Sequence, residues 1–253
     1  MTEKKASALP YAHATIVFAD GACTGNPGPG GWGVIIATAD GKVQELGGRD
    51  PETTNNRMEL TAVGKALRQL EGTPGPVHIF TDSVYVINGI TKWIWGWRKR
   101  GWKTAEGGEV ANAEYWKRLA AILAKRGKDD PIEWHYVQGH SGIPGNERVD
   151  EIAVAFAQRR PIHLYEGPLL KYDVAVHDIP EDTSVPDSAN KRREKPKEAY
   201  SYLSLVGGEA RRHASWSECE ARVKGVSGAK FKKTTSPAEE AEVLKSWGTK
   251  LKG

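Results

Sequence analysis

The chain has 253 residues, 39% of them hydrophobic, and a formal net charge of +4. That length accommodates one medium domain and one small one, and no apolar run approaches the span of a membrane, which excludes a transmembrane helix. Two cysteines far apart in the chain, Cys23 and Cys219, exclude a disulfide framework, argue against a zinc site and point to a reducing, cytoplasmic setting.

In chain order, Met1-Thr2-Glu3-Lys4-Lys5 is charged and no apolar signal core follows it, so residues 1–13 read as a tail and no export is expected. Residues 14–20 form an apolar, β-rich run that ends on Asp20 and opens a Gly- and Pro-rich stretch to Gly31. A second strand is expected over 31–38, with Gly41-Lys42 turning into a third near 43–47. Residues 55–70 carry Met58, Leu60, Ala62, Val63, Ala66, Leu67 and Leu70 at helical spacing. Thr54 or Asn55 is the expected cap and Gly72 the stop, and Glu59 rides on this helix. A short strand over 77–81 runs into Asp82, and a helix begins at Ser83. Residues 91–103 interleave Trp93, Trp95, Trp97 and Trp102 with Lys92, Arg98, Lys99, Arg100 and Lys103. A helix over 112–126, a strand over 132–137 and a helix over 146–159 complete the pattern, the last carrying Asp150 behind the loop Gly139-His140-Ser141-Gly142. Three strands followed by alternating helices and strands predict a mixed, five-stranded α/β sheet flanked by helices over residues 14–160.

Beyond residue 160 the composition turns rich in Pro, Asp, Glu and Lys, and 161–198 reads as a linker. A compact pattern returns over 199–253. Strands are expected over 200–206 and 229–233, and helices over 215–223 and 236–247, in a small α/β domain with a local excess of positive charge.

Carboxylates at strand ends and on core-facing helix positions are costly unless neutralised. With Asp20, Glu59, Asp82 and Asp150 and no Cys or His cluster, hard oxygen donors favour magnesium over zinc. Two such ions are a common device for in-line phosphodiester chemistry. Each acid alone could be a cap or a surface group; the four in their contexts point to a metal centre. The tryptophan–cation run suits nucleic acid, cations on phosphates and indoles on sugars or bases, although Trp93 and Trp97 share a helical face that could be core.

These segments resemble type 1 ribonuclease H over roughly 14–158. The motifs Asp20-Gly21 with Gly25-Asn26-Pro27-Gly28-Pro29-Gly30, Thr54-Asn55-Asn56-Arg57-Met58-Glu59, Thr81-Asp82-Ser83, Lys103-Thr104-Ala105 and Gly139-His140 through Asn146-Glu147 to Asp150 fall in family order. Residues 199–253 resemble the small hybrid-binding, viroplasmin-like module, which usually stands N-terminal in such enzymes. The resemblance implies a ribonuclease H-like fold and hydrolysis of the RNA strand of RNA–DNA hybrids by a monomer, with two Mg2+ ions (Mn2+ as a substitute) and 5′-phosphate and 3′-hydroxyl products. It implies metal binding by Asp20, Glu59, Asp82 and Asp150, with His140 as the catalytic histidine. It further implies substrate contacts from Cys23, Asn26, Thr54, Asn55, Asn56 and Arg57, from the basic protrusion (Trp93, Trp97, Arg98, Lys99, Arg100, Trp102 and Lys103), and from Trp216, Phe231, Lys232 and Lys233 in the tail, which could also take double-stranded RNA. Val84 stands where family members carry a polar side chain. The alternative reading is a non-catalytic binder of hybrid or double-stranded RNA; intact carboxylates and His140 weigh against it.

Overall fold

A computed structural model describes residues 11, 13–126, 130–186 and 199–251. Most of the expected N-terminal tail and residues 187–198 of the expected linker lie outside the described residues. The chain divides into two compact units, residues 1–190 and 191–253.

The first unit is built on a sheet ordered β5-β4-β1-β2-β3-β6. Its strands are β1 (Thr15–Cys23), β2 (Gly28–Ala37), β3 (Lys42–Thr53), β4 (Val77–Thr81), β5 (Ile132–Tyr136) and β6 (Glu166–Pro168). β1 to β3 and β6 pair antiparallel, while β4 runs parallel to β1 and β5 parallel to β4. β1 lies mid-sheet and is covered on both faces, so residues 15–21 are all buried and read as a nearly unbroken apolar run.

Alternation along the strands divides two cores. On one face Val17, Ala19, Val34, Ile36 and Ile79 pack with α1 (Asn55–Gln69) and α4 (Ala113–Leu123). Thr54 caps α1 by accepting the Arg57 amide at 3.4 Å, and the periodic residues from Met58 to Leu67 are buried as their spacing predicts. On the other face Ile16, Phe18, Ile35 and Phe80 pack with Val149 of α5 (Pro144–Ala157). Phe18 and Phe80 stack at 5.2 Å; burying each ring contributes about 1.5–3 kcal/mol. α2 (Val84–Asn88) continues through a π-helical turn (Gly89–Trp93) into α3 (Ile94–Lys99).

The structure corrects two expectations. The sheet has six strands, because β6 adds to the edge of β3. The segment read as a linker from 161 is therefore packed over much of its described length: Val176 is buried and the Tyr136 amide donates to the Thr183 carbonyl at 2.8 Å. The anchor is Glu45 on β3, whose side chain is fully buried. Its carboxylate accepts two bonds of 2.8 Å from Arg148, the Tyr165 amide at 2.9 Å and the Tyr172 hydroxyl at 2.5 Å. Burial alone would raise the Glu45 carboxyl, yet these donors hold it below the usual range.

The second unit is a three-stranded sheet, β8-β7-β9, formed by β7 (Ser201–Val206), β8 (Glu209–His213) and β9 (Lys230–Thr234), with helices α6 (Trp216–Val223) and α7 (Pro237–Ser246). β8 is an addition to the expected elements. Gly207-Gly208, both at positive φ, close the β7–β8 hairpin. Glu240 of α7 is buried and bonds both Ser201 at 2.5 Å and Arg212.

Candidate active site

Asp20 occupies β1 opposite Gly33 of β2, Asp82 follows β4, Glu59 lies in the second turn of α1, and Asp150 is mid-way along α5. Two close approaches bring these elements together. A Cβ on Gly21 would stand 2.2 Å from the Glu59 amide nitrogen, and one on Gly33 would stand 2.3 Å from the Val149 carbonyl. Only glycine lets α1 and α5 lie directly on the sheet beside Asp20.

The four acids feel one another electrostatically. Asp20 is 7% exposed; its carboxyl is pushed well above the usual range by burial first, then by the charges of Asp82, Asp150 and Glu59, against one bond of 2.7 Å from the Gly21 amide. Glu59 is pushed up to about 7, chiefly by burial and with help from Asp82. Its two oxygens are aimed by the Asn55 amide at 2.9 Å and the Ser83 hydroxyl at 2.5 Å. Asp82 is raised by burial and by Asp150, and lowered by its bond from Asn146 and by nearby His140. Asp20, Glu59 and Asp82, each raised by burial and by acidic neighbours, together with Asp150 offer oxygen as their only donor atom and fit a hard divalent cation. The buried Asn146 Oδ1 beside them accepts no hydrogen bond.

His140 is exposed on the loop between β5 and α5, at φ 52°. Glu147 fixes that loop by accepting the Gly142 amide at 2.9 Å, and Ser141 donates to the Gln138 carbonyl at 2.6 Å. Ser83, which also caps α2, was missing from the expected site; Asn146, which the sequence offered as a loop-ordering residue or a helix cap, lies inside α5 and bonds Asp82.

The expected substrate residues separate into groups. Near Asp20, Cys23 donates to the Gly28 and Thr53 carbonyls at 3.5 Å, and Asn26 accepts the Asn55 amide at 3.3 Å, so both also join strands and helix. Arg57 bonds Asn112 at 3.2 Å, while Asn56 is exposed. Arg98, Lys99, Arg100 and Lys103 are exposed. Trp93 and Trp95 are 37% and 43% exposed, whereas Trp97 and Trp102 pack on the core, Trp97 against Trp116 at 5.5 Å. In the second unit Trp216 and Phe231 pair at 5.2 Å and remain 39% and 55% exposed. Lys233 shares their face of β9, and alternation turns Lys232 to the other.

The expectation that no histidine cluster exists is overturned. His78, Glu133 and His135 place three ligand atoms within 4.8 Å of one another, the compact group of that kind among the described residues. Burial holds both imidazoles below the usual histidine range.

The ribonuclease H family profile matches residues 12–158. A second profile, described as the ribonuclease H1 N-terminal domain, matches residues 213–242. A curated protein of Thermosynechococcus vestitus named Ribonuclease H is 51% identical over 160 residues, which is 62% of this chain and 96% of that one. One of Alcanivorax borkumensis with the same name is 54% identical over 138 residues, 54% of this chain and 87% of its own. Among solved structures, LC9-RNase H1, described as a type 1 RNase H with the type 2 active-site motif, aligns with a TM-score of 0.53 at 30% identity over 74% of this chain and 93% of its own.

Proposed function

The chain belongs to the ribonuclease H family, a nuclease family that hydrolyses the RNA strand of RNA–DNA hybrids with divalent metal, and on that footing we propose that Asp20, Glu59, Asp82 and Asp150 hold its magnesium. The observation that carries the assignment is the convergence of four carboxyls from β1, α1, the end of β4 and α5, with Asp20 buried within reach of the charges of the other three. Two bound magnesium ions would supply an activated water and stabilise the leaving oxygen, giving 5′-phosphate and 3′-hydroxyl products; manganese has the same donor preference.

The remaining chemistry belongs to the side chains. Ser83 and Asn55 keep both Glu59 oxygens oriented, and Asn146 does the same for Asp82. His140 is the proton carrier at the solvent edge of the site, an imidazole on a glycine-flanked loop beside Asp82. Asn26, Asn55 and the backbone at Cys23 line the approach to the RNA strand, where 2′-hydroxyls distinguish it from DNA, while Thr54, Asn56 and Arg57 serve the groove and the DNA phosphate.

Arg98, Lys99, Arg100 and Lys103, with Trp93 and Trp95, take the DNA strand's phosphates and sugars. The second unit, through Trp216, Phe231 and Lys233, adds a second hybrid-binding surface that also suits double-stranded RNA. Tethering raises the effective concentration of substrate at the catalytic unit. We place the enzyme in the reducing cytoplasm, a reading supported by the free thiols of Cys23 and Cys219, and take it to work as a monomer. Among the described residues no helix is long and apolar enough to cross a membrane.

The test is cleavage of one labelled strand in matched RNA–DNA, RNA–RNA and DNA–DNA duplexes, with magnesium and with chelator. Magnesium-dependent cutting confined to RNA in the hybrid is expected. Binding without cutting would sink the catalytic reading.

A further inference from the structure

Adjacent parallel strands carry a second group of ligating side chains. His78 on β4 is the register partner of Glu133 on β5, and His135 follows two residues later. Register partners share a face of the sheet, and so do residues i and i+2, so all three side chains emerge together from paired, rigid backbone. His78 lies four residues before Asp82, roughly 13 Å away along the strand, and outside the carboxylate cluster.

Three atoms define the group. His78 Nδ1 and His135 Nε2 are 3.0 Å apart, His78 Nδ1 and Glu133 Oε2 3.5 Å, and His135 Nε2 and Glu133 Oε2 3.8 Å. A tetrahedral ion with ligand bonds of about 2.0–2.1 Å has ligand–ligand edges of about 3.3–3.4 Å. Every side of the observed triangle lies within about 0.5 Å of that edge, so rotamer adjustment suffices to admit an ion. The two imidazole nitrogens share a single proton, which an ion would displace.

The surroundings are built as well. The second nitrogen of His135 is 2.9 Å from the Thr183 hydroxyl, the kind of outer contact that fixes a ligating ring and its tautomer. Tyr11 covers both rings, its centroid 4.4 Å from that of His78 and 5.7 Å from that of His135. The histidine side chains are 11% and 13% exposed while Glu133 is 57% exposed, which leaves one open side for entry of the ion and for a water as fourth ligand.

We propose that His78, Glu133 and His135 form a binding site for a zinc-class divalent ion, separate from the carboxylate centre. Two imidazoles and one carboxylate with an open fourth position suit zinc and not magnesium, which prefers oxygen donors throughout. The ion clamps edge strand β5 to β4, and it stabilises the fold by mass action.

The experiment is zinc titration of the full-length chain against a chromophoric chelator in millimolar magnesium, which keeps the carboxylates occupied. The expected result is one zinc per chain, with affinity at least about tenfold weaker in Glu133→Gln and in His135→Gln and unchanged in Asp20→Asn. Cobalt in place of zinc should give tetrahedral visible absorption that saturates only at higher cobalt concentration in Glu133→Gln. Glu133 is half-exposed, so its substitution leaves the fold intact even if that of His135 does not. Zinc binding equally tight in Glu133→Gln, binding lost in Asp20→Asn, or no binding by the unaltered chain would each overturn the proposal.

Discussion

Gly21 and Glu59 meet so closely that a Cβ on the glycine would lie 2.2 Å from the glutamate's amide nitrogen. This contact sets the height of α1 over β1 and thereby the separation of Glu59 from Asp20. Gly21→Ala is expected to lower cleavage about a hundredfold through misplacement of Glu59 and stability by about 1–3 kcal/mol through overpacking. Gly64→Ala serves as the contrast, since its Cβ would meet Leu119 only at 3.7 Å. That substitution should leave activity unchanged and stabilise α1 by about 0.5–1 kcal/mol. Denaturation midpoints and single-turnover rates of the pair check this; equal effects at both positions would contradict it.

The carboxylate cluster makes metal-free stability depend on pH. In the folded chain Glu59 titrates near 7 against an ordinary 4.5, raised mainly by burial, and Asp20 is displaced in the same direction. Between those pH values the folded state retains protons that the unfolded state has released. The contribution is thus fully present below 4.5 and is lost as pH rises through about 7. Thermal melts in chelator from pH 5 to pH 8 should fall more steeply for the unaltered chain than for Glu59→Gln. Magnesium should raise the melting temperature more at pH 8 than at pH 5. Identical pH slopes for the two proteins would refute the reading.

Where the chain is cut after α5 decides its stability. Ending it at residue 160 removes the Tyr165 and Tyr172 bonds to buried Glu45. Bonds to a buried charge are worth about 1.5–3 kcal/mol each, so a loss of at least about 3 kcal/mol is expected. A chain ending at 186 keeps both bonds and should unfold like the first unit of the full chain. Urea titration of the two truncations distinguishes them.

The uneven legibility of the chain has a physical basis. The positions of Asp20, Glu59, Asp82 and Asp150 were readable because each stands at the end of an apolar strand run or on a helix with clear periodicity, and those local patterns survive in the fold. Thr54 caps α1 as its position predicts. The Glu45–Tyr172 bond was not readable, because it spans 127 residues and neither side carries a motif. β6 has only three residues, Glu166-Gly167-Pro168, and owes its pairing to that anchor. The His78–His135 contact arises from the register of β4 and β5, and strand spacing alone does not disclose register. β8 hid behind a charged sequence, although Gly207-Gly208 marked its turn.

The protrusion should reveal itself through salt. Replacing Arg98, Lys99 and Arg100 together with Ala removes three exposed cations. It is expected to weaken hybrid binding and to reduce the slope of log affinity against log salt by about 2–3, at roughly 0.7–0.9 per phosphate contact. An unchanged slope with weaker binding would place these cations off the phosphates.

The most direct measurement compares Asp20→Asn with the unaltered enzyme for both cleavage and equilibrium binding of one RNA–DNA hybrid in magnesium. Asp20 is the buried carboxylate that the other three oppose, so removing its charge should cut the cleavage rate at least about a thousandfold while hybrid affinity stays within a few-fold, about one kcal/mol. Cleavage retained near the original rate would contradict the assignment of these four carboxylates as the metal centre.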